Sequence, residues 1–484
     1  MTQSGLSEMA LQDALAKSGI VHIGIGAFHR AHQAVYTDAA MAAKGGDWHI
    51  IGVSLRSTDI VDALNAQNCA FTVIERHPDG PKARRITSMS HAIAAARDVM
   101  PVLAALADPA IRIVTITVTE KAYGIDRQSG RIQNDHPAIR HDLDHPDRPS
   151  GLVGILVAGL KSRKDASMRP FTVLSCDNLP ANGKLLRAGV IDFANRIDPE
   201  LGDWISQNVS FPSTMVDRIT PASTTATYDD AKTLTGVDDP AAIETEPFSQ
   251  WVIEDDFPDG RPAWEEAGAI VVADVEPFED MKLRMLNGSH SLIAYLGQLG
   301  GYRYVRDAMA NDNFAGLVAR HMENAAATMA PLTGIDFARY GAELTERFRN
   351  PEIAHETRQI AMDGTEKLPQ RIFAPVCDLA ADSRHRGTFA LCFAAWIAFV
   401  QGQINPATPG ENSRLPDDPR ADEIAERIGS VQDAADLYDR LAGLPGWMPR
   451  QLCEDASWRK AVISRLVMLL TNSADAAIRH ELGQ

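Results

Sequence analysis

In the first half of the chain, short runs rich in Val and Ile alternate with stretches whose apolar residues recur at helical spacing. Runs at 20–25, 49–54, 111–118 and 171–176 read as strands. Their nearly unbroken apolar character suits strands covered on both faces. Helical patterns follow at 30–43 and 183–195. Strand and helix in alternation predict βαβ units around a parallel sheet. From Glu279 onward strand-like runs almost vanish, and long helical patterns such as 281–299 and 421–441 take over. The greasiest run, 389–400, is too short to cross a bilayer and reads as a buried helix. A stretch rich in Pro and Asp, 405–419, reads as a surface loop without chemistry. The expected fold class is an α/β N-terminal domain over 1–278, then a mostly α-helical C-terminal domain over 279–484, with the boundary falling near Val275 to Asp280.

Length supports that division, because 484 residues exceed what one compact core organises. The net charge of −17 argues against nucleic acid as a partner. A small anion stays admissible, since a local cluster of Arg and Lys can outweigh the global charge. The five cysteines are dispersed and read as reduced thiols. The first 17 residues are polar and amphipathic, without the apolar core of a signal peptide. These features predict a cytoplasmic protein with no membrane partner, either a monomer or a small homo-oligomer.

The first strand runs into Gly24-Ile-Gly26-Ala-Phe28-His29-Arg30 and then a helix. A first glycine permits the tight turn, and a second lets the backbone approach a pyrophosphate. His29 stands where the usual third glycine would be. At the end of the second strand the chain reads Ser54-Leu55-Arg56-Ser57, without the usual acidic residue for the ribose. Arg56 is suited to a 2′-phosphate, so the residues leave NAD and NADP both open. The His29-x-x-His32 spacing has no accompanying Cys or Glu cluster, and no metal is expected.

Lys282, Asn287 and His290 carry the candidate chemistry. On one α-helix they fall at about 0°, 140° and 80°, a broad face with His290 in the middle. Lys282 and His290 are then about 12 Å apart along the axis, which suits an elongated substrate better than a compact dyad. A desolvated Lys serves as acid in carbonyl reduction and base in the reverse direction. The Asn287 amide is suited to stabilising negative charge on oxygen, and His290 to a substrate hydroxyl. The loop Ser175-Cys-Asp-Asn178 follows a strand end, where α/β proteins place ligand contacts, and the loop Met215-Val-Asp217-Arg218 is a second candidate.

Taken together, the run from Ile23 through Gly26 to Gln33, Thr117-Val-Thr-Glu120, Cys176-Asp-Asn178, Met215-Val-Asp217-Arg, Gln250-Trp-Val-Ile-Glu254 and Lys282 to His290 resemble the polyol-specific long-chain dehydrogenases, the mannitol 2-dehydrogenase family. The motifs occur in the family's order from Ile20 to about Arg371. The resemblance implies a Rossmann-type N-terminal domain binding NAD, a helical C-terminal domain, and a cleft between them. It implies Lys282 as the metal-independent acid/base, Asn178 and Asn287 as oxyanion donors, and His290 and Asp217 as hydroxyl contacts. Glu279 matches a glutamate linked to a proton-relaying water chain, and Glu120 a cleft acid counted with the cofactor contacts Gly24, Gly26, Phe28, Arg30 and Arg56.

Within the family, the Lys282–His290 run and Asp363-Gly-Thr-Glu-Lys367-Leu-Pro-Gln-Arg371 look most like the fructuronate reductases. A hexuronate carries a carboxylate, for which Arg358, Lys367 and Arg371 are the candidate contacts. A mannitol-, arabinitol- or sorbitol-type dehydrogenase is the alternative substrate class. A nucleotide-binding sensor without turnover is the rival of another kind, and it has no need of Lys282 or Glu279. Tyr228-Asp-Asp-Ala-Lys232 spells the short-chain dehydrogenase pair, but it lies far downstream of the glycine turn and reads as an exposed helix.

Overall fold

Among the described residues the chain forms eleven strands: β1 Ser18–Ile23, β2 His49–Ser54, β3 Phe71–His77, β4 Gly80–Ile86, β5 Met89–Ala94, β6 Ile113–Ile116, β7 Thr172–Ser175, β8 Thr214–Asp217, β9 Ile243–Thr245, β10 Gln250–Glu254 and β11 Ile270–Val272. The computed structural model describes residues 3–127, 129–332, 334–405 and 417–484. It divides into two compact units, Met1–Glu276 and Pro277–Gln484.

The first unit is built on a parallel sheet in the order β5-β2-β1-β6-β7. Alternate residues of each strand feed two separate cores. Val21, Ile23, Ile51, Val53, Val114 and Ile116 enter one, beneath the helices Met100–Ala107, Leu152–Asp165 and Asn182–Ile197. Ile20, Ile50, Ile113 and Leu174 enter the other, with Trp251 and Trp264. Burial on both faces is why these strands read as unbroken apolar runs. The chain builds outward from β1 to β2 and β5, then returns to lay down β6 and β7. The reversal between β1 and β6 is the switch point at which such sheets bind ligands, outside the carboxyl ends of their strands.

Two smaller sheets, β11-β10-β8 and β4-β3-β9, are less visible in the sequence. The β4 run Gly-Pro-Lys-Ala-Arg-Arg-Ile is mostly polar and is held as a strand by its hairpin pairing with β3. The helix expected at 30–43 is two pieces, Ala27–Ala31 and Gln33–Lys44, which break at His32.

Among the described residues of the second unit, every extended element is a helix. Its centre is the helix Gly387–Ile404, in which Phe389, Leu391, Phe393 and Ile397 have no exposed surface. Phe373, Tyr438, Trp396, Trp447 and Trp458 pack their rings around Phe393. The segment Arg384–Ile404 is long and apolar enough to cross a membrane by composition, and 72% of its most apolar window is buried within the protein. The helix expected at 421–441 is instead a pair, Ala421–Ile428 and Ala434–Ala442, broken at Gly429 with φ of 50°. Most of the predicted loop 405–419 lies outside the described residues.

Candidate active site

At the end of β1, Gly24 has φ of 105°, and a Cβ there would stand 1.8 Å from the Thr117 carbonyl oxygen. The position therefore requires glycine twice over, for its conformation and for the crossing of the β6 strand. Thr117 donates its hydroxyl to the Gly24 carbonyl at 2.7 Å, and the His22 ring lies against both, at 2.8 Å from the Thr117 hydroxyl. At Gly26 the space a Cβ would fill is open to 4 Å. The turn is thus pinned from below and clear above. His29, in the place of the third glycine, stacks on His22 with ring centroids 3.4 Å apart. Two flat rings take the space that close helix–strand packing would otherwise close. Burial holds His22 neutral, with its pKa lowered to about 3, and pushes His29 down as well.

Phe28 is half-buried and stacks on His32. Arg30 differs from expectation: its guanidinium is buried, donates to the Ala241 carbonyl and lies 5.9 Å from the centre of the Phe71 ring. It is a strut between the turn and the β4-β3-β9 sheet, because a buried guanidinium must spend its donors on fixed acceptors. Arg56 is exposed just past β2. Glu120 is exposed and ion-paired with Arg127 at 2.8 Å.

The loops after β6, β7 and β8 carry the remaining candidates of the first unit. Asn178 is exposed in the turn after β7, and Asp217 is buried at the end of β8. Beside Asn178, Asp177 accepts from the Val118 N–H at 2.9 Å and the Tyr123 hydroxyl at 2.5 Å. Burial pushes the Asp177 carboxyl up to about 7. Sequence reading missed both Asp177 and Tyr123, whose significance depends on contacts between loops.

In the second unit the segment predicted as one α-helix, 281–299, changes pitch within itself. Glu276–Met281 is α-helical, Lys282–Asn287 is a π-helical turn, and Gly288–Leu299 is α-helical again. A π turn closes its hydrogen bonds from i to i+5. Lys282 and Asn287, five residues apart, therefore fall nearer to one face of the helix than α geometry would place them. The 140° separation expected from α geometry does not hold. Lys282 and His290 are 6% and 9% exposed, while Asn287 and Glu279 are half-buried.

A second π turn, Pro369–Phe373, packs against the first. From it Arg371 donates to the Asn287 carbonyl at 3.3 Å and the Ser291 hydroxyl at 3.2 Å. No carboxylate pairs with Arg371 among the described residues. The other two candidates for a substrate carboxylate are engaged elsewhere. Arg358 is exposed and pairs with Asp417 at 3.6 Å. Lys367 donates to the carbonyls of Ile360 at 3.2 Å and Met362 at 2.6 Å. Around His290 stand the Phe348 ring at 4.7 Å and the His355 ring at 5.1 Å. Its Nε2 is buried without a hydrogen-bond partner. Burial, then the neighbouring His355, Arg347, Arg371 and Lys282, hold His290 well below the usual imidazole range. It is a neutral ring among cations. His355 and Arg347 escaped the sequence reading because they lie outside the recognised motifs.

Residues 18–266 match the mannitol dehydrogenase Rossmann domain, and residues 274–439 the mannitol dehydrogenase C-terminal domain. The chain is 41% identical to the D-mannonate oxidoreductase of Escherichia coli (strain K12) over 463 residues, covering 95% of this chain and 94% of that protein. It is 41% identical to the mannitol 2-dehydrogenase of Cereibacter sphaeroides over 420 residues, covering 86% and 87%. Its fold is similar to that of the Pseudomonas fluorescens mannitol 2-dehydrogenase solved as a ternary complex with NAD and D-mannitol. That likeness has a TM-score of 0.78 and 38% identity, covering 97% of this chain and 96% of the other. The chain belongs to the mannitol dehydrogenase family, and it is an oxidoreductase acting on a CH–OH group.

Proposed function

We propose that this protein interconverts a keto sugar acid and the corresponding sugar acid, D-fructuronate and D-mannonate, with NAD(H) as cofactor. The observation that carries the substrate class is the concentration of buried positive charge around His290, with Arg371 lacking a carboxylate partner. Arg371 is half-buried, and a cation withdrawn from water without a counter-ion is costly. A substrate carboxylate supplies the missing charge, and the guanidinium offers it a fork of donors. Arg371 is accordingly the contact assigned to the carboxylate.

The glycine turn fits a dinucleotide, since Gly26 leaves open space at the carboxyl end of β1, beside the switch point. NAD(H) supplies or takes the hydride when bound. Lys282 gives the proton to the carbonyl oxygen in reduction and takes it back in oxidation. Asn178 and Asn287 stabilise negative charge on that oxygen as it develops. Asp217 and His290 hold hydroxyl groups, and Glu279 relays the Lys282 proton. Neutral His290 offers both a donor and an acceptor for this purpose. All five cysteines are unpaired thiols, which fits the reducing cytoplasm as the proposed location.

A second reading, a polyol dehydrogenase acting on mannitol and fructose, is favoured by the identity to mannitol 2-dehydrogenases. One panel separates the two: fructuronate, tagaturonate, fructose and xylulose, each with NADH and NADPH. The expected result is reduction of fructuronate with NADH, at a kcat/KM at least about 100-fold above that for fructose, the worth of one well-placed charge-assisted contact. Reduction of fructose with neither uronate consumed overturns the sugar-acid reading in favour of the polyol one.

A further inference from the structure

Asn178 sits in an exposed turn, and a donor aimed at a developing oxyanion must be held to within a fraction of an ångström. We propose that Asp177 is a positioning residue, tying the loops after β6 and β7 and the start of β8 into one frame that fixes Asn178. This inference rests on the role of Asn178 given above.

The Asp177 carboxyl reaches across to the β6 loop. It accepts from the Val118 N–H with both oxygens, at 2.9 and 3.2 Å, two residues from Glu120. It accepts from the buried Tyr123 hydroxyl at 2.5 Å, and that hydroxyl also meets the Ser175 hydroxyl at 2.7 Å on β7. The Asp177 main chain is fixed from the other side. Its carbonyl accepts from the Leu179 N–H at 2.8 Å and from the Asn182 side-chain amide at 2.9 Å. The same Asn182 amide donates to the Thr214 carbonyl at 2.9 Å and accepts from the Thr214 N–H at 3.0 Å, at the start of β8. Asp217 lies at the end of that four-residue strand. One side chain and one main-chain carbonyl therefore join the supports of Glu120, Asn178 and Asp217.

Among the described residues no cation pairs with this half-buried carboxyl, and desolvation pushes its pKa up to about 7. Such a group weakens the fold wherever it is ionised. Burial of a polar group at this position makes sense as geometry. The neutral phenol and the single backbone N–H need an acceptor of a set length at a set place. A displacement of about 1 Å at a catalytic donor lowers turnover by about 100-fold.

The test uses the full chain with NADH and fructuronate, or the ketone on which the panel shows turnover. It compares Asp177→Ala, Asp177→Asn, Tyr123→Phe and Asn178→Ala. Asn keeps an acceptor at the same reach. Asp177→Ala is expected to lower kcat by about 30- to 300-fold while the NADH dissociation constant stays within about 3-fold. Asp177→Asn is expected to recover kcat to within about 5-fold of wild type, and Tyr123→Phe to fall about 10-fold. If Asp177→Ala does not fold, Tyr123→Phe decides: lowered kcat with unchanged NADH binding supports the frame, and unchanged kcat overturns it. An Asn variant as impaired as the Ala variant overturns positioning in favour of a requirement for charge. Loss of turnover in Asn178→Ala with full turnover in Asp177→Ala overturns the inference alone. Full turnover in Asn178→Ala removes the role of Asn178 and this inference with it.

Discussion

Lys282 is buried in the second unit, at the first position of a widened helical turn. A lysine placed there for packing alone would be an expensive substitute for an apolar side chain. Its assigned work, moving a proton to and from the carbonyl oxygen, is worth about 100- to 10,000-fold in rate. Lys282→Ala is therefore expected to lower kcat by that factor while NADH binding, followed by fluorescence, stays intact. Turnover within 3-fold of wild type would remove Lys282 from the mechanism. Arg371 shows how far single residues were legible. Its type and motif made it one of three basic candidates, but only the fold shows that Arg358 and Lys367 are engaged elsewhere. Arg30 carries the opposite lesson. Its place beside the glycine turn suggested a cofactor contact, and its side chain instead reaches Ala241, far along the chain.

At the scale of elements, the parallel strands were legible because burial on both faces leaves an unmistakable apolar run. The π turns were not. Over six residues, apolar spacing does not distinguish a turn closed by i→i+5 bonds from an α-helical one. What betrays the turn is its neighbour. A Cβ at Gly288 would lie 2.9 Å from His321 Nε2 and 3.4 Å from the Arg371 carbonyl oxygen of the second π turn. Gly288→Ala is expected to press first on the His321 ring, and only lightly on the second turn, and to destabilise the second unit by about 1–3 kcal/mol, read as a lowered melting temperature. Because Arg371 bonds to the Asn287 carbonyl across the same junction, kcat/KM for the uronate should fall further than the NADH affinity. Unchanged stability and unchanged kcat/KM together would show that the His321 ring and the second turn both yield to the added methyl. The break at Gly429 was likewise invisible, since the apolar spacing runs on across it.

At the scale of the whole molecule, both units contain a histidine that the fold keeps neutral. Burial lowers His22 in the first unit and His321 in the second to about 3. Free imidazole titrates near 6.5, so the sign is settled. Above that pH neither state is protonated and nothing is gained or lost. Between about 6.5 and 3 the unfolded chain takes up protons that the folded chain refuses, and stability falls. Each ring contributes at most about 4–5 kcal/mol over that span, at 1.36 kcal/mol per pH unit. Asp177 works in the opposite direction, its raised pKa costing stability as pH rises from about 4 to about 7. Calorimetry is expected to show the melting temperature falling from pH 6.5 to 4.5, with a shallower fall in His321→Gln. An equal slope in that variant would locate the acid sensitivity elsewhere. The central helix Gly387–Ile404 has a different consequence, which appears during synthesis. The helix Ala456–Thr471, which packs along it, is made about 50 residues later. At roughly 5–20 residues per second, one of the greasiest segments of the chain waits roughly 3–10 seconds for its cover. A ribosome that stalls in this window is therefore expected to release a chain more prone to aggregate than the whole protein, with one face of that helix still uncovered.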